Sequence, residues 1–162
     1  MMRPNYVWQT SESRIYGKMQ QMFLKSIQIG RPLLNTKAIL SWVHQLKMGG
    51  SAVDKFHVTL AYSTTMVDWE NEAFQARTDS IVVDGGGRSL QLFDRGALVL
   101  VFYSKTFAIR WQNLTESGAK WDYPEFLPHI TLARNCTIIP SCQSVYDGPL
   151  IFGPEYRKPT KS

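Results

Sequence analysis

Hydrophobic and polar residues alternate most clearly in two short segments of this chain. The segments are Phe56-His57-Val58-Thr59-Leu60 and Pro128-His129-Ile130-Thr131-Leu132. Residues i and i+2 of a β-strand point to the same face, so His57 and Thr59 are predicted to lie together, opposite the core-facing Val58. His129 and Thr131 repeat this arrangement. The pattern therefore predicts two half-buried strands, each presenting a His-x-Thr pair on its outer face.

Each of these strands follows a segment with helical periodicity. A first helix, beginning after Asn35 or Thr36 and ending at Gly49-Gly50, is predicted because apolar residues recur with a helical spacing. Those residues are Ile39, Trp42, Val43 and Leu46. A second helix is predicted after a cap at Ser104 or Thr106, and its apolar face consists of Phe107, Trp111 and Leu114. The order helix, loop, His-x-Thr strand thus occurs twice, which indicates two similar lobes.

Shorter elements are predicted between these two units. Asp68–Arg77 is predicted as a short helix. Ile81–Asp84 and Leu90–Asp94 are predicted as the strands of a β-hairpin whose turn is Gly85-Gly86-Gly87. The three glycines are interpreted as a turn and not as a phosphate-binding loop, because neither a helix nor a Lys-Ser/Thr pair follows them.

Further strands are predicted at Ala97–Tyr103 and Leu150–Phe152. The N-terminal third has a less regular pattern and leaves two alternatives. Either Tyr6–Thr10 or Arg14–Met22 supplies a strand there, and the second segment fits a helix equally well.

Size and composition favour one folded unit. With 162 residues, of which 44% are hydrophobic and 12% aromatic, the chain is predicted to form a single domain over residues 1–162. Residues 1–5 and 157–162 are expected to be flexible. No apolar stretch reaches the roughly 18 residues that a membrane-spanning helix needs. The N-terminus lacks the apolar region of a secretory signal, so a cytoplasmic location is expected.

The net charge indicates which kinds of molecule the chain is expected to bind. The net charge of +5 favours an anionic partner such as a nucleotide, RNA or a membrane surface, although a solvated basic surface explains it as well. Part of the excess positive charge comes from the C-terminal segment 157–162.

Cys136 and Cys142 have a spacing that fits no metal motif, and they are expected to be free thiols, although a disulfide bridge between them stays open.

The two His-x-Thr pairs suit phosphodiester cleavage. That reaction needs a base for the attacking hydroxyl and an acid for the departing oxygen, and histidine serves both purposes because its ordinary pKa is about 6.5. Thr59 and Thr131 can donate hydrogen bonds to the non-bridging phosphate oxygens. This arrangement needs no metal or other cofactor.

A zinc site needs three or four ligands, and the third histidine, His44, is interpreted as structural or exposed. The alternative is that both His-x-Thr pairs are structural.

Two further residues are candidates for substrate contacts. Trp69 lies in a polar segment after the first His-x-Thr pair, where it could stack on a base, a contact worth about 1–3 kcal/mol, or anchor the segment to the core. Glu155 follows a strand and a Gly-Pro turn, and alone it would be interpreted as a solvated carboxylate.

A chain of this size with two His-x-Thr strands resembles the two-histidine (2H) phosphoesterase superfamily. The resemblance implies a bilobal α+β fold in which two antiparallel-sheet lobes carry helices outside and face each other across a central cleft. Three stretches are more specifically similar to the bacteriophage anti-CBASS phosphodiesterases, which hydrolyse the cyclic di- and trinucleotide signals of bacterial immunity. They are Asp68-Trp69-Glu70-Asn71-Glu72-Ala73-Phe74, the segment from Trp121 to Thr131, and Gly148-Pro149-Leu150-Ile151-Phe152-Gly153-Pro154-Glu155.

The resemblance implies roles for individual residues. His57 and His129 would be the acid–base pair, and Thr59 and Thr131 would bind phosphate. Glu155 would contact the nucleotide and Trp69 a base, while the tyrosine expected near the N-terminus is assigned to neither Tyr6 nor Tyr16.

The predicted function is hydrolysis of 3′–5′ bonds in a cyclic oligonucleotide without metal. Neither a membrane nor an obligatory protein partner is expected. Two alternatives remain open: an RNA-processing enzyme that opens 2′,3′-cyclic phosphate ends, and a non-catalytic module that sequesters a nucleotide.

Overall fold

The described part of the protein consists of two antiparallel sheets and two helices. The computed structural model describes residues 23–161. The predicted N-terminal elements and the two tyrosines considered there lie outside this range. The helices are α1 (Thr36–Val43) and α2 (Lys105–Glu116), and the strands are β1 (Leu24–Pro32), β2 (Ser51–Ala52), β3 (His57–Asp68), β4 (Ile81–Val83), β5 (Ser89–Phe93), β6 (Ala97–Val101), β7 (His129–Arg134), β8 (Leu150–Phe152) and β9 (Tyr156–Lys158).

The larger sheet divides into two lobes. Its strand order is β5-β6-β7-β3-β1-β9, with the short β2 also paired to β7, and β4 pairs with β8 in a separate small sheet. One lobe contains β5, β6, β7 and β2, and the other contains β3, β1 and β9. The lobes join where β7 meets β3, through the single paired position Val58–Ile130. This arrangement confirms the predicted bilobal α+β fold with antiparallel sheets.

The helices pack on one side of the sheet because their apolar faces are buried there. Phe107 and Leu114 of α2 are fully buried, as are Ile39 of α1 and the strand residues Val58 and Ile130. Burying a side chain of this kind contributes about 1.5–3 kcal/mol. The other side of the sheet is therefore free to present polar side chains.

Both predicted helices are confirmed, with differences at their ends. The hydroxyl of Ser104 accepts a hydrogen bond from the backbone N–H of Phe107, which identifies Ser104 as the cap of α2. Helix α1 ends at Val43, before the two glycines. Its flanking Asn35 does not cap the helix, since its amide oxygen accepts from the backbone N–H of Ile151 and its NH2 donates to the carbonyl of Pro149.

The short helix predicted over Asp68–Arg77 is wrong. Strand β3 continues to Asp68, and only a 3-10 turn over Glu72–Phe74 follows. The side chain of Asn71 accepts a hydrogen bond from the backbone N–H of Ala73, which favours a tight turn over a longer helix.

The hairpin predicted around the three glycines is also wrong. β4 pairs with β8 and β5 pairs with β6, so the two segments belong to different sheets. The guanidinium of Arg88 explains the separation, because it donates hydrogen bonds to the carbonyls of Asp84, Tyr146 and Gly148. These bonds tie the glycine loop to the segment before β8 rather than closing a hairpin.

The C-terminal segment contains a strand that the sequence pattern did not predict. Leu150–Phe152 is a strand as expected, but β9 follows it and pairs with β1 through Gly30–Tyr156 and Gln28–Lys158. Residues 157 and 158, which were expected in a flexible tail, are thus hydrogen-bonded to the sheet.

Other expectations concern the cysteines and the membrane. Cys136 is buried, Cys142 is half-buried, and both are free thiols. Within residues 23–161, none of the helices is both long and apolar enough to span a bilayer.

Candidate active site

The two His-x-Thr pairs lie at corresponding places in the two lobes. His57 is the first residue of β3 and His129 is the first residue of β7. In both strands the residues between and after the pair are fully buried, whereas the histidine and the threonine are half-buried. The alternation predicted from sequence is therefore present, and each pair points away from the helices.

The pairing of β3 with β7 brings the two pairs to the same face. Val58 and Ile130 are directly opposite each other in this antiparallel pairing. Directly opposite residues share a face, so the flanking residues of both strands lie together on the other face. The register places His57 across from Thr131 and Thr59 across from His129. The structure thus gathers the four residues that the sequence singles out.

His129 has a defined tautomer and a fixed ring. Its Nδ1 lies 2.7 Å from the backbone carbonyl oxygen of Leu127, so Nδ1 carries the hydrogen and donates it. Phe93 of β5 packs edge-to-face against the imidazole, with ring centroids 4.8 Å apart. The hydrogen bond and the packing leave Nε2 as the nitrogen available for proton transfer.

The surroundings of both histidines lower the imidazole pKa below its ordinary value and so favour the neutral ring. Burial lowers the pKa of His57, and the positive charges of Lys158, Arg134 and His129 lower it further. Burial also lowers the pKa of His129, although the Leu127 carbonyl opposes this effect by stabilising the protonated ring.

Several residues next to these histidines were not singled out from sequence. Tyr156 packs edge-to-face against His57, with ring centroids 6.3 Å apart, and Lys158 lies over the Tyr156 ring. Both belong to β9, a three-residue strand whose pairing depends on a distant segment of the chain. The one available signal was that Tyr156 directly follows the stretch ending in Glu155.

Glu155 lies on the helix side of the sheet, away from the four residues. Its side chain is 0% exposed and its two oxygens accept hydrogen bonds from Nε and Nη2 of Arg110, each at 2.9 Å. The backbone N–H of Arg77 donates to it at 3.1 Å, and Arg31 Nη2 lies 3.7 Å away. Glu155 borders a cavity of about 450 Å³, which neither histidine lines.

In this structure the carboxylate of Glu155 is therefore not free to make the expected contact with a nucleotide. Its carboxylate is occupied by Arg110, and Arg110 in turn donates to the carbonyls of Ala73 and Gln75. Glu155 is thereby part of a buried network that joins α2 to the segments before β4 and β9. Its surroundings support a structural role.

Trp69 also lies apart from the four residues. It follows the end of the 12-residue strand β3, whereas His57 begins that strand. At about 3.3 Å per residue, roughly 40 Å of chain separates them. Arg157 lies 4.3 Å and Lys25 5.0 Å from the ring centroid, and the indole N–H donates to the carbonyl of Ser26. Of the two interpretations left open, these contacts support the structural anchor.

Relatives of known name match most of the chain. The profile of a family described as "Anti-CBASS protein Acb1" matches residues 26–162. A protein of that name from Caulobacter sp. (strain RHG1) is 34% identical over 137 residues, and one from Sphingomonas paeninsulae is 32% identical over 139 residues. These matches cover 81% of this chain but 22% of each relative. A protein of the same name from Yersinia phage phiR1-RT is 30% identical over 111 residues, which cover 67% of this chain and 69% of that one.

Solved structures with the same fold include Escherichia coli LigT. The complex of LigT with NADP+ has a TM-score of 0.52 and 21% identity, covering 84% of this chain and 98% of that one. A structure described as a phosphoesterase has a TM-score of 0.54 and 17% identity, covering 85% and 96%. At this identity the likeness establishes the fold alone.

Proposed function

Because the chain belongs to the Acb1 family of anti-CBASS proteins, we propose that it is a phosphodiesterase that hydrolyses the cyclic di- and trinucleotide signals of bacterial immunity. The observation that carries the proposal is the Val58–Ile130 pairing, which presents both His-x-Thr pairs on one face. His57, Thr59, His129 and Thr131 are the proposed catalytic residues. The activity is a proposal about this chain because it spans only 22% of the two bacterial relatives.

The proposed reaction needs two proton transfers and a place for the phosphate. One imidazole takes the proton from the ribose 2′-hydroxyl or from a water as its oxygen attacks phosphorus. The other imidazole gives a proton to the 5′-oxygen as the P–O5′ bond breaks. The hydroxyls of Thr59 and Thr131 donate hydrogen bonds to the non-bridging oxygens, where charge is rearranged in the transition state.

The surroundings of the two histidines favour different roles. Burial lowers the pKa of His57, and the nearby positive charges of Lys158 and Arg134 lower it further, which suits the residue that begins the reaction neutral. The carbonyl of Leu127 accepts the hydrogen of Nδ1 and stabilises a positive charge on His129, which suits the proton donor. We therefore assign His57 as the base and His129 as the acid.

The proposed substrate chemistry predicts a pattern of cleavage that does not depend on divalent metals. Incubation with a panel of cyclic di- and trinucleotides in excess EDTA is expected to give full turnover of 3′–5′ linkages. When the 2′-hydroxyl is the attacking group, a 2′–5′ linkage offers only its 3′-hydroxyl, which a site arranged for attack by O2′ does not align with the base, so 2′–5′ linkages are expected to survive. Mass spectrometry of the products identifies the bond broken. Loss of activity in EDTA that added Mg²⁺ restores would contradict the metal-independent mechanism.

A competition experiment separates this function from the two alternatives. Turnover of a cyclic dinucleotide is compared with turnover of a nucleoside 2′,3′-cyclic phosphate under identical conditions. Preference for the second substrate would favour an RNA-processing enzyme. Tight binding of the cyclic dinucleotide without turnover would favour a module that only sequesters it.

The pH dependence of kcat/KM is expected to be bell-shaped with its centre below pH 6.5. Both imidazoles have a pKa lowered from the ordinary value of 6.5, and the productive enzyme has one neutral and one protonated ring. That form is most populated between the two pKa values, so the maximum lies on the acidic side. The measurement is kcat/KM across the acidic and neutral range.

Lys158→Gln provides a directional test of the same profile. Removing this cation is expected to raise the pKa of His57, which moves the acidic limb to higher pH. The exposed Lys120 serves as the matched control, since Lys120→Gln removes the same charge elsewhere. A profile centred at or above neutrality, or equal shifts in both variants, would contradict the role assigned to His57.

A further inference from the structure

Tyr156 lies on the same face of the sheet as the two His-x-Thr pairs, and the proposed mechanism leaves it without a role. It pairs with Gly30 of β1, and Gly30 pairs with Thr59 of β3. Opposite residues in antiparallel strands share a face, so Thr59, Gly30 and Tyr156 form one row across three strands. The ring of Tyr156 also packs edge-to-face against His57.

Gly30 provides the space in which the phenol lies. A Cβ at position 30 would lie 2.7 Å from Cζ of Tyr156, and it would lie closer still to the hydroxyl oxygen. The hydroxyl group is therefore directly above the glycine, directed from β9 across β1 toward Thr59. A side chain of any size at position 30 would displace it.

The phenol is a neutral hydrogen-bond donor. Burial raises the pKa of Tyr156, while a side-chain hydrogen bond with Gln28 lowers it. With its pKa raised by burial, the phenol keeps its hydrogen at neutral pH and can donate it, and a neutral phenol does not repel a phosphate.

We propose that Tyr156 is a further substrate-binding residue, whose hydroxyl donates a hydrogen bond to a non-bridging oxygen of the phosphate held by Thr59. This inference rests on the proposed phosphodiesterase activity and adds a third hydroxyl donor to the site. Lys158, whose ammonium lies 5.4 Å from the centroid of the Tyr156 ring, makes the same edge of the sheet attractive to an anion. Strand β9 thus contributes to substrate binding although it carries neither histidine.

The test is Tyr156→Phe, which removes the hydroxyl and keeps the ring against His57. KM for a cyclic dinucleotide is expected to rise about tenfold, the effect of losing one hydrogen bond to a charged oxygen, while kcat changes less than about threefold. The Kd for the same intact dinucleotide, measured in a His129→Ala background, is expected to rise by the same factor.

The matched control is Tyr146→Phe. Tyr146 is also half-buried, and its hydroxyl donates to the carbonyl of Pro149 at 3.0 Å, away from the two histidines. This variant is expected to keep the KM of the unsubstituted protein. An equal rise in both variants would overturn the inference, because it would show a general loss of structure rather than a lost contact.

Gly30→Ala tests the geometry independently. The added methyl group would meet the phenol, and at 2.6 Å it would also meet the backbone carbonyl oxygen of Val58, so KM is expected to rise at least as much as in Tyr156→Phe. The double variant is expected to be no worse than the more impaired single one, because both changes remove the same contact. If circular dichroism shows Gly30→Ala to be unfolded, Tyr156→Phe and its control decide alone.

The possible failures are distinguishable. An unchanged KM and Kd in Tyr156→Phe, with an active unsubstituted protein, would overturn this inference and leave the proposed function intact. If the unsubstituted protein turns over no cyclic nucleotide, the proposed function is overturned. The comparison of Kd values then still decides whether Tyr156 binds the ligand.

Discussion

Replacing either His57 or His129 by alanine is expected to reduce kcat for a cyclic dinucleotide by about 10³-fold or more. A positioned acid or base contributes about 10²–10⁴-fold to such a reaction, and the two histidines act in the same bond-breaking step. Because they act as a unit, the double variant is expected to be little worse than either single variant. Steady-state kinetics measures the loss, and calorimetric titration with intact substrate is expected to show affinity retained to within about tenfold.

The matched control for both variants is His44→Ala, since His44 is an exposed residue near the end of α1 and lies away from the site. It is expected to keep full activity. Residual activity within about tenfold of the unsubstituted protein, for either site variant, would rule out the proposed acid–base pair. Loss of binding together with activity would point to collapse of the site instead.

Glu155→Gln is expected to lower the free energy of unfolding by about 3–5 kcal/mol, the cost of leaving a buried charge without its partner. The side chains of Glu155, Arg31 and Arg110 are 0%, 2% and 10% exposed, so losing the carboxylate charge leaves two nearly buried guanidinium groups without that partner. At about 2–4 °C per kcal/mol for a chain of this length, Tm is expected to fall by roughly 6–20 °C. Thermal and urea denaturation measure both quantities.

The same variant decides between the two roles considered for Glu155. Glu116→Gln, which changes an exposed glutamate at the end of α2, is the matched control and is expected to leave Tm nearly unchanged. If Glu155 contacts the nucleotide, Glu155→Gln raises KM and keeps the Tm of the unsubstituted protein. That outcome would contradict the structural role that the arginines indicate.

The hydrophobic and polar pattern predicted an element correctly wherever residues close together in the chain determine its structure. The strands that begin at His57 and His129 follow from strict alternation, and α2 follows from its apolar spacing and the cap at Ser104. These signals repeat within a few residues along the chain, so they can be read without knowing the tertiary partners. The assignment of the four catalytic residues stays a prediction until the variants are measured.

The hydrophobic and polar pattern gave a wrong or missing prediction where the binding partner of a segment lies far away in the chain. Arg88 binds carbonyls before β8 and thereby separates β4 from β5, which the sequence predicts as one hairpin. Strand β9 was missed because three residues carry too little periodicity to predict a strand, and because its partner β1 lies far away in the chain. Glu155 likewise has the sequence context of an exposed carboxylate, and only the tertiary structure surrounds it with arginines.

The amino-acid sequence by itself determined which four side chains carry the proposed chemistry, because alternation along a strand assigns each side chain to a face. Only the tertiary structure decided that both pairs share that face, through the contact between Val58 and Ile130. It also decided that Tyr156 joins them and that Glu155 and Trp69 do not. Which strands become neighbours depends on contacts between residues far apart in the chain. The hydrophobic periodicity of a sequence predicts helices and strands, but it does not show which strands pair.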